Sequence, residues 1–287
     1  MGRQAAAASF ATWSLAVVLF VLSGPASAFA QEATPGAAGT DIETLFKTSL
    51  DPFPDAPVPA ALARITFDPG AGLSMTANPG PALHYVEEGG FSVLAAGAMT
   101  LTPAGTARTP APPAPVAVGT EFPIAPGDLL VFPANTPFEV FNTGSEPAVA
   151  LIIEFFGRDP GAALPPGIAL EPLVVGEATA LPSGPMAVEL VRRTVEPGAR
   201  TSLSSEAATL AYVESGTAGY TVDEGTAQDA SEAAPATPGA EVDVQVGDAL
   251  VVRFGTVSEV INAGNDPLAF LTLVVSPAAI AAGTPAP

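Results

Sequence analysis

The stretch "GDLLVFPANTPFEVFNTGSEPAVALII" (127–153) decides how this chain is read. Its short apolar runs are parted by Pro-Ala-Asn-Thr-Pro and Asn-Thr-Gly, clusters of the kind that bound β-strands. The same order returns as "GDALVVRFGTVSEVINAGNDPLAFLTL" (247–273), at a constant offset of 120 residues. Working outward, "YVEEG" (85–89) matches "YVESG" (212–216) at an offset of 127. Residues 43–70 lie over 171–198 at an offset of 128: Glu43 falls on Glu171, Pro54 on Pro182, Pro57 on Pro185, Arg64 on Arg192, and Pro69-Gly70 on Pro197-Gly198. The chain is a tandem repeat whose length difference falls in the middle of each copy.

The rest of each copy continues in the same manner. "ALARITF" (61–67), "LHYVEEG" (83–89) and "FSVLAAG" (91–97) return as "AVELVRRTV" (187–195), "LAYVESG" (210–216) and "GYTV" (219–222). With 32 Pro and 28 Gly in 287 residues, and no helical periodicity beyond the N-terminus, an all-β chain is expected. "TDIE" (40–43) has the form of a helix capping box. Its repeat partner "ALEPLVV" (169–175) is strand-like and holds Pro172, so 44–50 is read as strand or extended chain. The middles, 102–123 and 223–243, are rich in Pro, Ala and small polar residues and read as surface loops. Residues 31–42 read as a flexible leader and 277–287 as a flexible tail.

Composition excludes several chemistries. There is no cysteine, so disulfides and thiolate metal sites are out. His84 is the single histidine and Lys47 the single lysine, so a Ser-His-Asp triad has one candidate base and Schiff-base chemistry one candidate amine. The formal net charge of -20 repels phosphate backbones, and no nucleic-acid partner is expected.

At the N-terminus Arg3 precedes the apolar run "FATWSLAVVLFVL" (10–22), followed by Ser-Gly-Pro and by small residues at Ala28 and Ala30. This is the form of a secretory signal peptide spanning 1–30, with Ala26-Ser27-Ala28 as a competing cleavage site. The expected location is secreted or in the cell envelope, with no stable membrane span after cleavage. The alternative is an uncleaved anchor over Ala5 to Leu22.

The spacing of the glycines and turns resembles the cupin superfamily. Two motifs describe that family: Gly, five residues, His-x-His, then Glu and Gly; and Gly, five residues, Pro-x-Gly, then His and Asn. In the first copy Gly70 leads to Thr76 and Asn78, then to Ala82 in the glutamate position and to Gly89. Gly127 leads to Pro133, Asn135 in the glycine position, Phe138 in the histidine position, and Asn142. In the second copy Gly198 leads to Ser204 and Glu206, with Thr209 for the glutamate and Gly216 to close, and Leu203 with Ser205 as an alternative pair. Gly247 leads to Arg253, Gly255, Ser258 in the histidine position, and Asn262. The resemblance implies two tandem double-stranded β-helix (jelly-roll) barrels over 43–160 and 161–276, and a homodimer paired through edge strands.

In the family the resemblance would also imply three imidazoles and a carboxylate on a divalent metal. This chain supplies a hydroxyl, an amide, a methyl and a phenyl ring in one copy, and Ser204, Glu206, Thr209 and Ser258 in the other. No metal and no other cofactor is expected. The ligand-pocket candidates are Thr76, Asn78, Ala82, His84, Phe138, Ser204, Glu206, Thr209 and Ser258. Alternation puts His84 on the face of Ala82, where it is either a wall histidine or the sole acid–base group. Phe138, Phe141, Phe155 and Phe156 are expected to fill the first core, and an inward Phe138 would make that cavity suited to a small apolar ligand. Glu139 and Glu259 are expected on the outer face. Of the pair Arg192-Arg193, one is expected to meet a carboxylate between the two copies, and an anion site is the sharper reading. Asn142 and Asn262 are expected to hold the turns that follow them. The expected function is a non-catalytic small-ligand-binding or structural module. The alternatives are a metal-dependent oxidoreductase or decarboxylase with atypical ligands, and a metal-free sugar isomerase or epimerase using His84.

Overall fold

Apolar alternation and frequent turns leave this chain one way to satisfy its backbone, in paired strands. The computed structural model describes residues 39–105, 112–156, 163–178, 181–204, 206–222, 227–229, 241–256 and 258–278, all within one compact unit, Gly36–Pro287. The described residues are all-β and pair antiparallel. The strands are β1 (Thr40–Leu50), β2 (Val58–Phe67), β3 (Gly72–Met75), β4 (Ala82–Glu88), β5 (Phe91–Ala95), β6 (Met99–Thr102), β7 (Ala114–Val116), β8 (Glu121–Ile124), β9 (Leu129–Phe132), β10 (Phe138–Phe141) and β11 (Ala148–Glu154). They continue as β12 (Ile168–Ala178), β13 (Met186–Val195), β14 (Arg200–Leu203), β15 (Ala208–Ser215), β16 (Thr217–Val222), β17 (Ala227–Asp229), β18 (Glu241–Gln245), β19 (Ala249–Val252), β20 (Ser258–Asn262) and β21 (Leu268–Pro277).

The repeat is visible in the sheets. A seven-stranded sheet runs β12-β2-β11-β4-β9-β6-β7, and a six-stranded one runs β1-β13-β21-β15-β19-β17. Two four-stranded sheets, β3-β10-β5-β8 and β14-β20-β16-β18, have equivalent orders. The two copies exchange their first strands. β1 pairs with β13, Thr40 opposite Val195, while β12 pairs with β2, Ile168 opposite Phe67. Both exchanged strands bulge at the same place, between Thr44 and Phe46 and between Pro172 and Val174. The bulge explains how Pro172, which has no amide hydrogen, sits inside a long strand.

Three cores follow from strand alternation. The two large sheets meet across a shared core that includes Leu62, Leu83 and Leu151 from one and Leu190, Leu210 and Leu273 from the other. Each such leucine contributes about 1.5–3 kcal/mol on full burial. The opposite face of the seven-stranded sheet packs on its four-stranded partner through Ile65, Phe67, Val93 and Val140. The opposite face of the six-stranded sheet does the same through Val195, Val213, Tyr220, Val260 and Phe270. These last two cores are the first and second interiors.

The structure corrects three expectations. The leader of 31–42 ends earlier, because Thr40, Asp41 and Ile42 already pair with β13. The loops of 102–123 and 223–243 contain β7, β17, most of β8 and the start of β18. All four are edge strands, where Pro115 and Pro123 are tolerated because one side of the strand needs no ladder hydrogen bond. Of the four phenylalanines, Phe138 lies in the first interior, but Phe155 joins the shared core and Phe156 borders the first interior. Phe141 is half-buried on the opposite face from Phe138, over Gly72. The expected signal peptide, residues 1–30, lies outside the described residues. Among those described, no helix is long and apolar enough to cross a membrane.

Candidate functional site

The motif residues that both copies retain hold the backbone. Asn142 donates through Nδ2 to the carbonyls of Phe67 and Glu146, at 2.9 and 2.8 Å, and its Oδ1 accepts from the Gly144 amide at 2.9 Å. Asn262 repeats this on Val195, Asp266 and Gly264 at 2.7, 2.8 and 2.9 Å. Asn135 stands in the motif's glycine position and takes its left-handed conformation, φ 60°, where Gly255 has φ 89°. At Gly89 and Gly216 a side chain would meet backbone of the next strand at 2.8 and 2.9 Å.

The candidate pocket residues separate into two groups. Thr76, Ser204 and Glu206 lie exposed at the surface, not in a pocket. Strands β3 and β14 end at Met75 and Leu203, so the residues beyond them leave the sheet. Ser205, of the alternative pair, lies outside the described residues, and Leu203 is a buried core residue. Asn78 is buried but acts as a clamp. Its Nδ2 donates to the carbonyls of Gly80 and Pro133, and its Oδ1 accepts from the Thr136 amide at 2.8 Å.

Ala82, His84 and Phe138 do come together in the first interior. The His84 ring lies 4.6 Å from that of Phe132 and 5.8 Å from that of Phe138, and the two phenyl rings are 4.3 Å apart. His84 borders a cavity whose other described lining residues are apolar, among them Ile65, Leu73, Val93 and Leu130, and it is the one titratable residue among the described lining. The room open to the centre of a water molecule there is about 20 Å³. One water needs about 10–15 Å³ on this measure, so the cavity suits a water and not a metabolite.

The second interior is built on the same strands with different chemistry. Thr209 and Ser258 are buried on it, and the Tyr220 hydroxyl donates to Ser258 Oγ at 2.7 Å. Burial pushes the Tyr220 phenol above its ordinary value, and the Ser258 hydrogen bond offsets only part of that. Among the described residues no group of three His, Asp or Glu side chains stands close enough to hold a metal ion.

Sequence reasoning raised the Arg192-Arg193 pair and left its halves undivided; alternation divides them. Arg192 faces the shared-core side, where it completes an ion network with two-fold pseudosymmetry, with Glu171 and Glu43 at its rim 3.8 and 4.0 Å from Arg64 and Arg192. Arg64 Nε reaches Glu87 at 2.8 Å and Arg192 Nε reaches Glu214 at 2.8 Å, while each second nitrogen crosses to the other glutamate at 3.2 and 3.0 Å. Burial pulls the Arg64 guanidinium down, but the Glu87 hydrogen bond and the charges of Glu87 and Glu214 carry it above its ordinary value. The Glu214 hydrogen bond leads in raising Arg192. Arg193 faces the second interior, and burial lowers it.

No family model matches this chain, and no curated protein matches it either. Solved structures match at the level of chain course. The formate complex of the Lactobacillus farciminis oxalate decarboxylase has 13% identity and a TM-score of 0.47, over 77% of this chain and 78% of that one. A variant of the Bacillus subtilis oxalate decarboxylase has 18% identity and a TM-score of 0.42, over 74% and 68%. Likeness this distant assigns no activity to this chain.

Proposed function

We propose that this chain is an exported, cupin-type double barrel that works without a metal centre, as a non-catalytic module for a small ligand. One observation carries the reading. At the interior positions where the resemblance implies metal donors, the chain places Ala82 and Phe138 in one half and Thr209 and Ser258 in the other. A methyl and a phenyl cannot coordinate, and Ser258 is already engaged by Tyr220. An isomerase built on His84 finds no second titratable group among the described residues of the same cavity wall.

Elemental analysis of the purified protein, produced with manganese, iron, nickel and zinc supplied, tests this. The expected result is far less than one metal ion per chain. One tightly held ion per chain would overturn the reading.

A further inference from the structure

The second interior contains a guanidinium, Arg193, that makes no ion pair with any described residue. Arg193 lies on β13 between Ile42 of β1 and Phe270 of β21. It shares its face with Val195, a core residue of the second interior. Its Nη1 reaches across to Thr201 Oγ1 on β14 of the facing sheet, at a long 3.4 Å. Its equivalent in the first half is Ile65, a wall of the apolar cavity. The carboxylate that acts on it is Glu189, which is itself engaged by Lys47 at 3.2 Å and by Thr44 at 3.1 Å.

Two side-chain atoms are buried without a hydrogen-bond partner among the described residues, Arg193 Nε and Thr272 Oγ1. They are neighbours. Arg193 stands opposite Phe270 and Val191 stands opposite Thr272, so Arg193 and Thr272 form a diagonal pair on one face of adjacent strands. Such pairs lie ~7–8 Å apart between their Cα atoms, within reach of an arginine side chain. An N–H and a hydroxyl without partners, on diagonal positions of adjacent strands and with a second hydroxyl at Thr201 of the facing sheet, make a donor set for an oxyanion. An arginine fork matches the two oxygens of a carboxylate, and a guanidinium taken largely out of water gains from a counter-charge at bonding distance. The chain's charge of -20 disfavours multiply charged anions and leaves a monoanion as the better guest.

We propose that the second interior binds a small carboxylate monoanion, held by Arg193 Nε and the Thr272 hydroxyl with Thr201 alongside. This deepens the ligand-binding reading above by naming the ligand's class.

Isothermal titration of the purified full chain with sodium acetate tests it, with sodium phosphate as the comparison. Saturable binding of one acetate per chain is expected, with phosphate weaker. Arg193→Met should weaken acetate by at least about tenfold, and Arg193→Lys should recover only part, because an ammonium lacks the fork. Thr272→Val keeps the shape and removes one hydroxyl; a several-fold loss is expected, and this variant serves if Arg193→Met fails to fold. No saturation at millimolar acetate, or unchanged affinity in Thr272→Val and Arg193→Met, overturns the proposal. So does phosphate binding that survives loss of Arg193 and exceeds acetate. Metal content reports separately on the non-catalytic reading and leaves the acetate isotherm unaffected.

Discussion

The two interiors share one scaffold and differ in chemistry at six equivalent positions. The first presents Ile65, Leu73, Ala82, Val93, Phe138 and Ile152. The second presents Arg193, Thr201, Thr209, Tyr220, Ser258 and Thr272. His84 runs the other way, with Ala211 as its counterpart. The backbone hooks, by contrast, are duplicated almost atom for atom at Asn142 and Asn262. The repeat therefore separates two kinds of requirement. Turn geometry tolerates few side chains, whereas an interior only has to be filled and its polar atoms satisfied. The first half meets that second requirement with apolar side chains. The second half leaves Arg193 Nε and Thr272 Oγ1 without a hydrogen-bond partner among the described residues.

The largest expected difference between the halves comes from truncating the same position twice. Phe138→Ala should cost about 3–5 kcal/mol, the range for a buried phenyl. Ser258→Ala should cost about 1–3 kcal/mol, because it leaves the buried Tyr220 hydroxyl without its acceptor. Chemical denaturation of both variants reads this, and equal losses would mean that the interiors are filled in the same way.

The ion network should behave oppositely, with the halves alike. Arg64→Ala and Arg192→Ala each leave Glu87 and Glu214 sharing one guanidinium. Losses of about 1–3 kcal/mol, allowing for partial exposure, are expected for both, matching within about 0.5 kcal/mol. A clear inequality in denaturation midpoints would break the pseudosymmetry.

The smallest effect is with pH. Burial raises Tyr220 above 10.0 in the folded chain, so its phenol stays protonated to higher pH than in the unfolded chain. Its contribution to stability is intact below pH 10 and fades as pH rises through the folded value. Burial also raises Tyr85 and Tyr212. Thermal unfolding above pH 10 should therefore steepen in the parent, and Tyr220→Phe should flatten part of that slope. An unchanged slope would show that Tyr220 is not shielded from solvent.

The repeat made much of this fold readable. Constant offsets aligned Gly70 with Gly198 and Asn142 with Asn262, and the structure gives each pair the same geometry. The strand exchange was not readable, because β1 and β12 come from equivalent copies and each suits either sheet. Edge strands β7 and β8 were hidden by Pro115 and Pro123, which composition assigns to loops. Around the site, alternation put His84 on the face of Ala82, and both border the first interior. Motif spacing put Thr76, Ser204 and Glu206 among the pocket candidates, and they lie exposed, because a spacing does not say where its strand ends. Arg193 stood out as a basic residue in an acidic chain, but the state of its Nε, without a hydrogen-bond partner among the described residues, depends on neighbours up to 79 residues away, such as Thr272.

A high-resolution crystal structure of the purified protein, grown with manganese and acetate, tests the contrast most directly. The expected result is nothing larger than water beside His84, a carboxylate on Arg193 and Thr272, and no cation in either interior. A cation held by several protein ligands beside Phe138 or Ser258 would contradict it.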